Sequence, residues 1–197
     1  MKINMKFFGT IASVLMVLLA VTAITASAAE YTDANEIEHK EAVSGCSELG
    51  IVDGRPDGSF APSEGVTREQ MTKMVIIASG NNGPVDDVAT GTIFSDVPQN
   101  RWSCGFIEFA ANSGIVSGMG NGRFAPVQPV TGVQAAKMLL VSVLGESGTS
   151  YNGSSWASLV NLDAYTYGLY DGLEGIDVNQ PLSREDAVQI VWNAVSA

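Results

Sequence analysis

From Thr67 onward the apolar residues fall at Met71, Met74, Val75 and Ala78. That is the i, i+3, i+4, i+7 spacing of one buried helix face. The spacing returns at Ala135, Met138 and Leu139, and again at Ala187, Ile190, Val191 and Ala194. Each run opens with a hydroxyl residue followed three positions later by a side-chain acceptor: Thr67 with Gln70, Thr131 with Gln134, Ser183 with Asp186. The first two fit a capping box and the third is a shorter variant. Gly80 and Gly145 stand where the first two helices should stop. Weaker runs precede them: Phe106, Ile107, Phe109 and Ala110 in one place, Leu159, Val160 and Leu162 in another. The pattern predicts an all-α chain built from helix-loop-helix units.

The units are copies of one another. Gly50-Ile51-Val52-Asp53-Gly54 recurs as Gly114-Ile115-Val116-Ser117-Gly118. The alignment continues without a gap through Phe60 and Phe124, Pro62 and Pro126, Thr67 and Thr131, Lys73 and Lys137. A third, degenerate copy holds Gly168-Leu169-Tyr170-Asp171-Gly172, has lost two residues, and places Ile176 and Ser183 at the phenylalanine and threonine positions. Upstream, Phe94 to Trp102 matches Tyr31 to His39, and Trp156 alone survives from this box in the third copy. The units therefore run 31–80, 94–145 and 151–197. The stretches GNNGPVDDVATG and GESGTSYNGSS separate them and read as flexible joints.

The repeat also decides what the aspartate-rich loop Asp53–Phe60 is. Asp53 becomes Ser117 and Asp57 becomes Asn121, while Gly58 and Gly122 persist. A calcium loop needs six or more oxygens at set spacing. Here the carboxylates vanish and the turn formers stay, so the stretch reads as a Gly/Asp turn between helices. One unit buries too little apolar surface to be secure, whereas three can pool their faces into a pseudo-threefold bundle. Similar grooves would then lie where neighbours meet.

The N-terminus stands apart. Lys2 and Lys6 precede an almost wholly apolar run from Phe7 to Ile24, and Ala26-Ser27-Ala28 fits a cleavage site before Ala29. That layout is a secretory signal peptide over 1–28. Left uncleaved, a run of this length would be a membrane anchor. Ten basic residues face 21 acidic ones, a formal charge of −11. Removing Lys2 and Lys6 makes the balance more acidic still. This argues against a nucleic-acid interface and requires any anionic ligand to be held by a few well-placed cations. Cys46 and Cys104 could join as a disulfide in an exported chain, the alternative being two small buried apolar residues.

FSDVPQNRW, GIVSGMGNGRFAPVQPVT and VTREQ together resemble the signature boxes of S-layer homology domains, and the resemblance spans residues 31 to 197. It implies three tandem repeats folded as a pseudo-threefold bundle. It also implies a noncatalytic module on the bacterial cell surface. Such a module attaches exported protein to a secondary cell-wall polysaccharide bound to peptidoglycan, often bearing ketal-linked pyruvate, through grooves between repeats. No cofactor is implied. Carried over by position, the binding residues are Arg68 and Arg184, with Gly132 in the second repeat; Trp102 and Trp156, with His39 in the first; and Asp33 and Asp96.

Each has a structural alternative. Arg68 and Arg184 follow the cap, where a cation opposes the helix dipole. Free helix N–H groups with an arginine beside them suit a carboxylate; the alternative is a local salt bridge to Glu69 or Glu64, or to Glu185 or Asp186. Trp102 and Trp156 either stack on a sugar or pack in the core. His39 reads as a surface or packing residue, and Asp33 and Asp96 as caps of the turn before the first helix. A self-associating surface-layer or scaffold protein, with sugar binding reduced or lost, is the rival function. A protein cargo is a further partner. A hydrolase finds no carboxylate pair, triad or metal motif to support it.

Overall fold

The computed structural model describes residues 31–81 and 93–197. The signal-peptide reading and most of the first joint fall outside them. Among the described residues there are six α-helices and no sheet: α1 (Lys40–Glu48), α2 (Arg68–Ala78), α3 (Cys104–Asn112), α4 (Gly132–Ser142), α5 (Trp156–Thr166) and α6 (Arg184–Ser196). The all-α expectation holds.

The second helix of each segment lies at the centre, where α2, α4 and α6 touch one another pairwise. Their predicted stripes are the core: Met71, Val75, Ala135, Leu139, Ala187, Ile190 and Val191 are all fully buried. The outer helices pack in an order that periodicity does not reveal. α3 lies on α2, α5 on α4, and α1 on α6. Each first helix thus packs mainly on the second helix of the preceding segment, and the last segment closes onto the first. A hairpin of two helices within one segment is not the packing unit. Gly45 permits the closure of α1 on α6, because a Cβ there would overlap the Trp192 ring.

A ring of backbone hydrogen bonds sits at the approximate threefold axis. Val66 N–H donates to Leu182 O (3.2 Å), Leu182 N–H to Val130 O (3.0 Å), and Val130 N–H to Val66 O (2.9 Å). All three side chains are buried, so each backbone group finds its partner in a neighbouring segment instead of water. These residues precede the helix caps Thr67, Thr131 and Ser183. A second cycle lies one turn on. Glu69 N–H donates to Pro126 O (3.0 Å), Val133 N–H to Val178 O (2.8 Å), and Glu185 N–H to Pro62 O (3.1 Å). The three segments therefore occupy equivalent places.

Within a segment, the upstream box clasps the downstream loop. The Asp33 carboxylate accepts Phe60 N–H (2.8 Å) and Ala61 N–H (2.7 Å). Asp96 does the same for Phe124 (2.8 Å) and Ala125 (2.9 Å). The clasp holds Ala61 and Ala125 at φ of 59° and 62°, a left-handed conformation that alanine adopts only when its surroundings enforce it. Tyr31 packs on Phe60 and Phe94 on Phe124, with ring centroids 5.3 and 5.5 Å apart. This is why the aromatic and the aspartate of the box persist together.

One sequence expectation is corrected, and of the two alternatives left open for the cysteines the buried, unbridged one is found. The second joint is ordered: Gly148–Ser150 forms a 3-10 turn and Tyr151 is buried, its hydroxyl bonded to Asp163 Oδ2 at 2.8 Å. Cys46 and Cys104 are both buried and not bridged, with burial pushing the Cys46 thiol up to about 12.

Candidate functional site

A cleft of about 380 Å³ opens between the second and third segments. Its walls are the Val116–Met119 loop, the α4 residues Gln134, Lys137 and Met138, and the stretch from Tyr151 to Trp156. Arg68 reaches it from the first segment. The ordered joint thus forms one wall, so the residues taken for a spacer shape the site.

Arg68 is 4% exposed and forms part of the cleft floor. Nε donates to Phe124 O (3.0 Å), Nη1 to Gln134 Oε1 (3.3 Å), and Nη2 to Ser117 O (3.2 Å). The guanidinium lies 4.6 Å above the Phe124 ring, a favourable cation–π position. Burial lowers its pKa, and the nearby Asp96 charge opposes that shift. A guanidinium carries five N–H donors. These bonds use one on each nitrogen, so one N–H on each Nη lies outside them.

Lys137 supplies a second cation. Its Nζ donates to Tyr151 O (3.1 Å) and lies 5.7 Å from the Trp156 ring centroid. Burial pulls its pKa down. None of the residues lining the cleft is a carboxylate. Two cations, an amide and a half-buried indole therefore converge on one concave surface. That set can pair with an acid group while an apolar sugar face lies against the ring.

The expectation of free helix N–H groups beside the arginine is not met. Arg68 N–H is bonded to Gln128 O (2.9 Å), Glu69 N–H to Pro126 O, and Gln70 N–H to Thr67 Oγ1 (3.4 Å). Contacts between segments and the capping box consume the donors of α2. An anion in this cleft meets side chains. Arg68 is also not paired with Glu69. The buried Glu69 carboxylate receives Arg101 Nε (2.7 Å) and Nη2 (2.8 Å), Ser103 Oγ (2.6 Å) and the Trp102 side chain. Burial raises its pKa, but the bonds from Arg101 and Ser103 outweigh this and hold it below the usual value.

The other expected residues lie elsewhere. Arg184 repeats the arrangement of Arg68 against the first segment: Nη2 donates to Asp53 O (2.7 Å) and the guanidinium lies 4.9 Å from the Phe60 ring. Its Nε is buried without a hydrogen-bond partner. Trp102 is 51% exposed and anchored through Glu69. Asp33 and Asp96 are not among the cleft residues; they clasp loops, and do so far downstream of the turn they were expected to cap. His39 Nε2 lies 3.7 Å from Asp186, and its backbone N–H reaches Glu185 Oε2 (3.3 Å).

At the third junction, Gly132 lies where an arginine would stand. A Cβ there would be 3.0 Å from Val178 Cα and 3.2 Å from its carbonyl oxygen. The shortened third loop has closed onto the helix start. Sequence reasoning missed Lys137, Gln134 and Tyr151 as cleft residues. The signal for Lys137 was present: a lysine retained at positions 73 and 137, between apolar positions of a central helix.

Comparisons with known proteins place the chain among surface-associated relatives in sequence. The chain is 27% identical over 197 residues to a cell surface protein of Thermoanaerobacter kivui, covering 99% of this chain and 25% of that protein. It is 28% identical over 196 residues to the surface-layer 125 kDa protein of Lysinibacillus sphaericus, covering 92% and 16%. An endoglucanase of Bacillus sp. (strain KSM-635) is 31% identical over 122 residues, covering 58% and 12%. The chain thus spans a quarter or less of the length of these relatives. Two of its segments, residues 30–72 and 93–136, match the family model of the S-layer homology domain.

Proposed function

We propose that this chain is a noncatalytic module of the bacterial cell surface that attaches to an acidic cell-wall polysaccharide. The cleft between the second and third segments is the grip. The observation that carries the reading is the convergence of Arg68, Lys137 and Trp156 from three parts of the chain on one cleft without a lining carboxylate. A pyruvate ketal on the glycan would offer a carboxylate to Arg68 and Lys137 and a sugar face to Trp156. Residues 151–197 are a third, diverged S-layer homology repeat, beside 31–80 and 94–145. The place of Leu182 in the ring with Val66 and Val130 supports that assignment. The module tethers a cargo, whether carried on the same polypeptide or bound as a partner.

Co-sedimentation of the exported chain with purified walls, before and after the polysaccharide is stripped, tests the reading. Retention is expected on intact walls and absent on stripped ones. Lys137→Ala and Trp156→Ala should each reduce it with the fold intact by circular dichroism. Equal retention on stripped walls would overturn it.

A second reading, self-association into a surface layer, has one observation in its favour. Leu159, Leu162 and Tyr165 on α5 are 41%, 64% and 64% exposed, and they follow one another at i, i+3, i+6 along one helix side. Higher assemblies in solution without wall material, lost in Leu162→Ser, would support it.

A further inference from the structure

The pseudosymmetry places the counterparts of the cleft residues at a second junction, between the first and second segments. Its basic residues match those of the first cleft position for position. Arg184 stands for Arg68 and Lys73 for Lys137, with Trp102 in the place of Trp156. One residue breaks the match. Where the second segment has Ser117, the first has Asp53. Asp53 touches both cations: its carbonyl oxygen accepts Arg184 Nη2 at 2.7 Å, and its carboxylate lies 3.6 Å from Lys73 Nζ. The anion position of this junction is therefore filled by the chain itself. Arg55 adds a cation nearby, but its guanidinium is paired with Glu64 on the same loop. The counterparts Met119 and Gln128 are uncharged.

Resting on the wall-glycan reading above, we propose that Asp53 is a specificity residue that excludes acidic ligands from the first–second junction and sets the capacity of the domain at one acidic ligand. A carboxylate entering that junction would have to displace Asp53 from Lys73 or lie beside it. Like charges a few ångströms apart near a protein surface cost enough to weaken binding roughly tenfold or more. The second–third cleft presents the small neutral Ser117 at this point, and only its carbonyl is committed, to Arg68. The third junction offers no rival site of this kind, since Gly132 and Gln189 replace the arginine and the lysine.

Asp53 can be changed without cutting into the core, because its side chain is 75% exposed. The test is titration calorimetry of the exported chain with a methyl glycoside bearing a ketal-linked pyruvate, a probe with one acid group. The wild-type chain is expected to bind one equivalent. Asp53→Ser is expected to bind two, the second being lost again on adding Lys73→Ala. Ser117→Asp should weaken the wild-type site at least about tenfold, with circular dichroism confirming the fold. One equivalent in both the wild type and Asp53→Ser overturns this inference and leaves the wall-glycan reading standing, as do two equivalents in the wild type. No binding to any of these chains overturns both.

Discussion

The junction where α2 meets the second segment and the junction where α6 meets the first are built from the same positions, yet they are tied differently. At the first, Arg68 makes three hydrogen bonds and Glu69 grips Arg101 with both oxygens. At the second, Arg184 makes one side-chain bond and leaves a buried Nε unpartnered. There Glu185 reaches only the backbone N–H groups of Glu38 (2.9 Å) and His39 (3.3 Å). The repeated backbone thus fixes where each side chain stands. The partners available across the junction decide whether it is a strut, a ligand or both.

The comparison can be broken most directly at the glutamates. Glu69→Ala strands Arg101, which is a quarter exposed, and should cost about 2–3 kcal/mol in denaturant unfolding. Glu185→Ala should cost only about 1 kcal/mol, the worth of its backbone hydrogen bonds. Equal costs would show that the junctions are equally tied. Gly132→Ala sharpens the contrast with the third junction. Crowding against Val178 should lower stability by about 1–2 kcal/mol, visible as a lower Tm, and an unchanged Tm would show that the loop yields.

The arginines come next. Arg68→Ala should lower retention on intact walls by roughly tenfold, since it removes a bidentate donor. Arg184→Ala should change it by less than about threefold, because the Asp53 carboxylate already sits beside Lys73 there. The smallest effect concerns acid. Burial raises the pKa of Asp33 and of Asp96, but their two backbone N–H bonds outweigh it and leave each below the ordinary aspartate value of 3.8. A depressed pKa gives stability that is complete above the unfolded value and is lost as the pH falls through the folded one. The clasps should therefore hold in full from neutral pH to about pH 4 and weaken progressively as the pH falls further. In Asp33→Asn and Asp96→Asn the acid limb of the stability curve should flatten, each at a cost of about 1 kcal/mol at neutral pH.

The central helices were legible because three independent signals agreed on them: period, cap and repeat. Thr67 and Gln70 form the reciprocal box read from their spacing, and Met71 and Val75 are buried as their phase requires. The outer helices were less legible. On α5, Leu159 and Leu162 face outward while Val160 and Ala164 are buried, so hydrophobicity there did not mark the packed face. Periodicity also names a face without naming its partner, which is why the exchange of helices between segments was out of reach. At the site, Arg68 and Trp156 were legible as types, but their meeting depends on that exchange. Asp33 and Asp96 carried a functional expectation through the family resemblance alone, and they repeat because each clasp holds an alanine in a conformation it would otherwise avoid.

The ring of Val66, Val130 and Leu182 has a mechanical consequence. A linear array of repeats has two ends, and unravelling starts at whichever is weaker. Here the last segment is knotted by hydrogen bonds to the first, so no segment is terminal. A pull along the chain must shear contacts at several junctions together before any helix peels away, and the domain should yield in a single step under load.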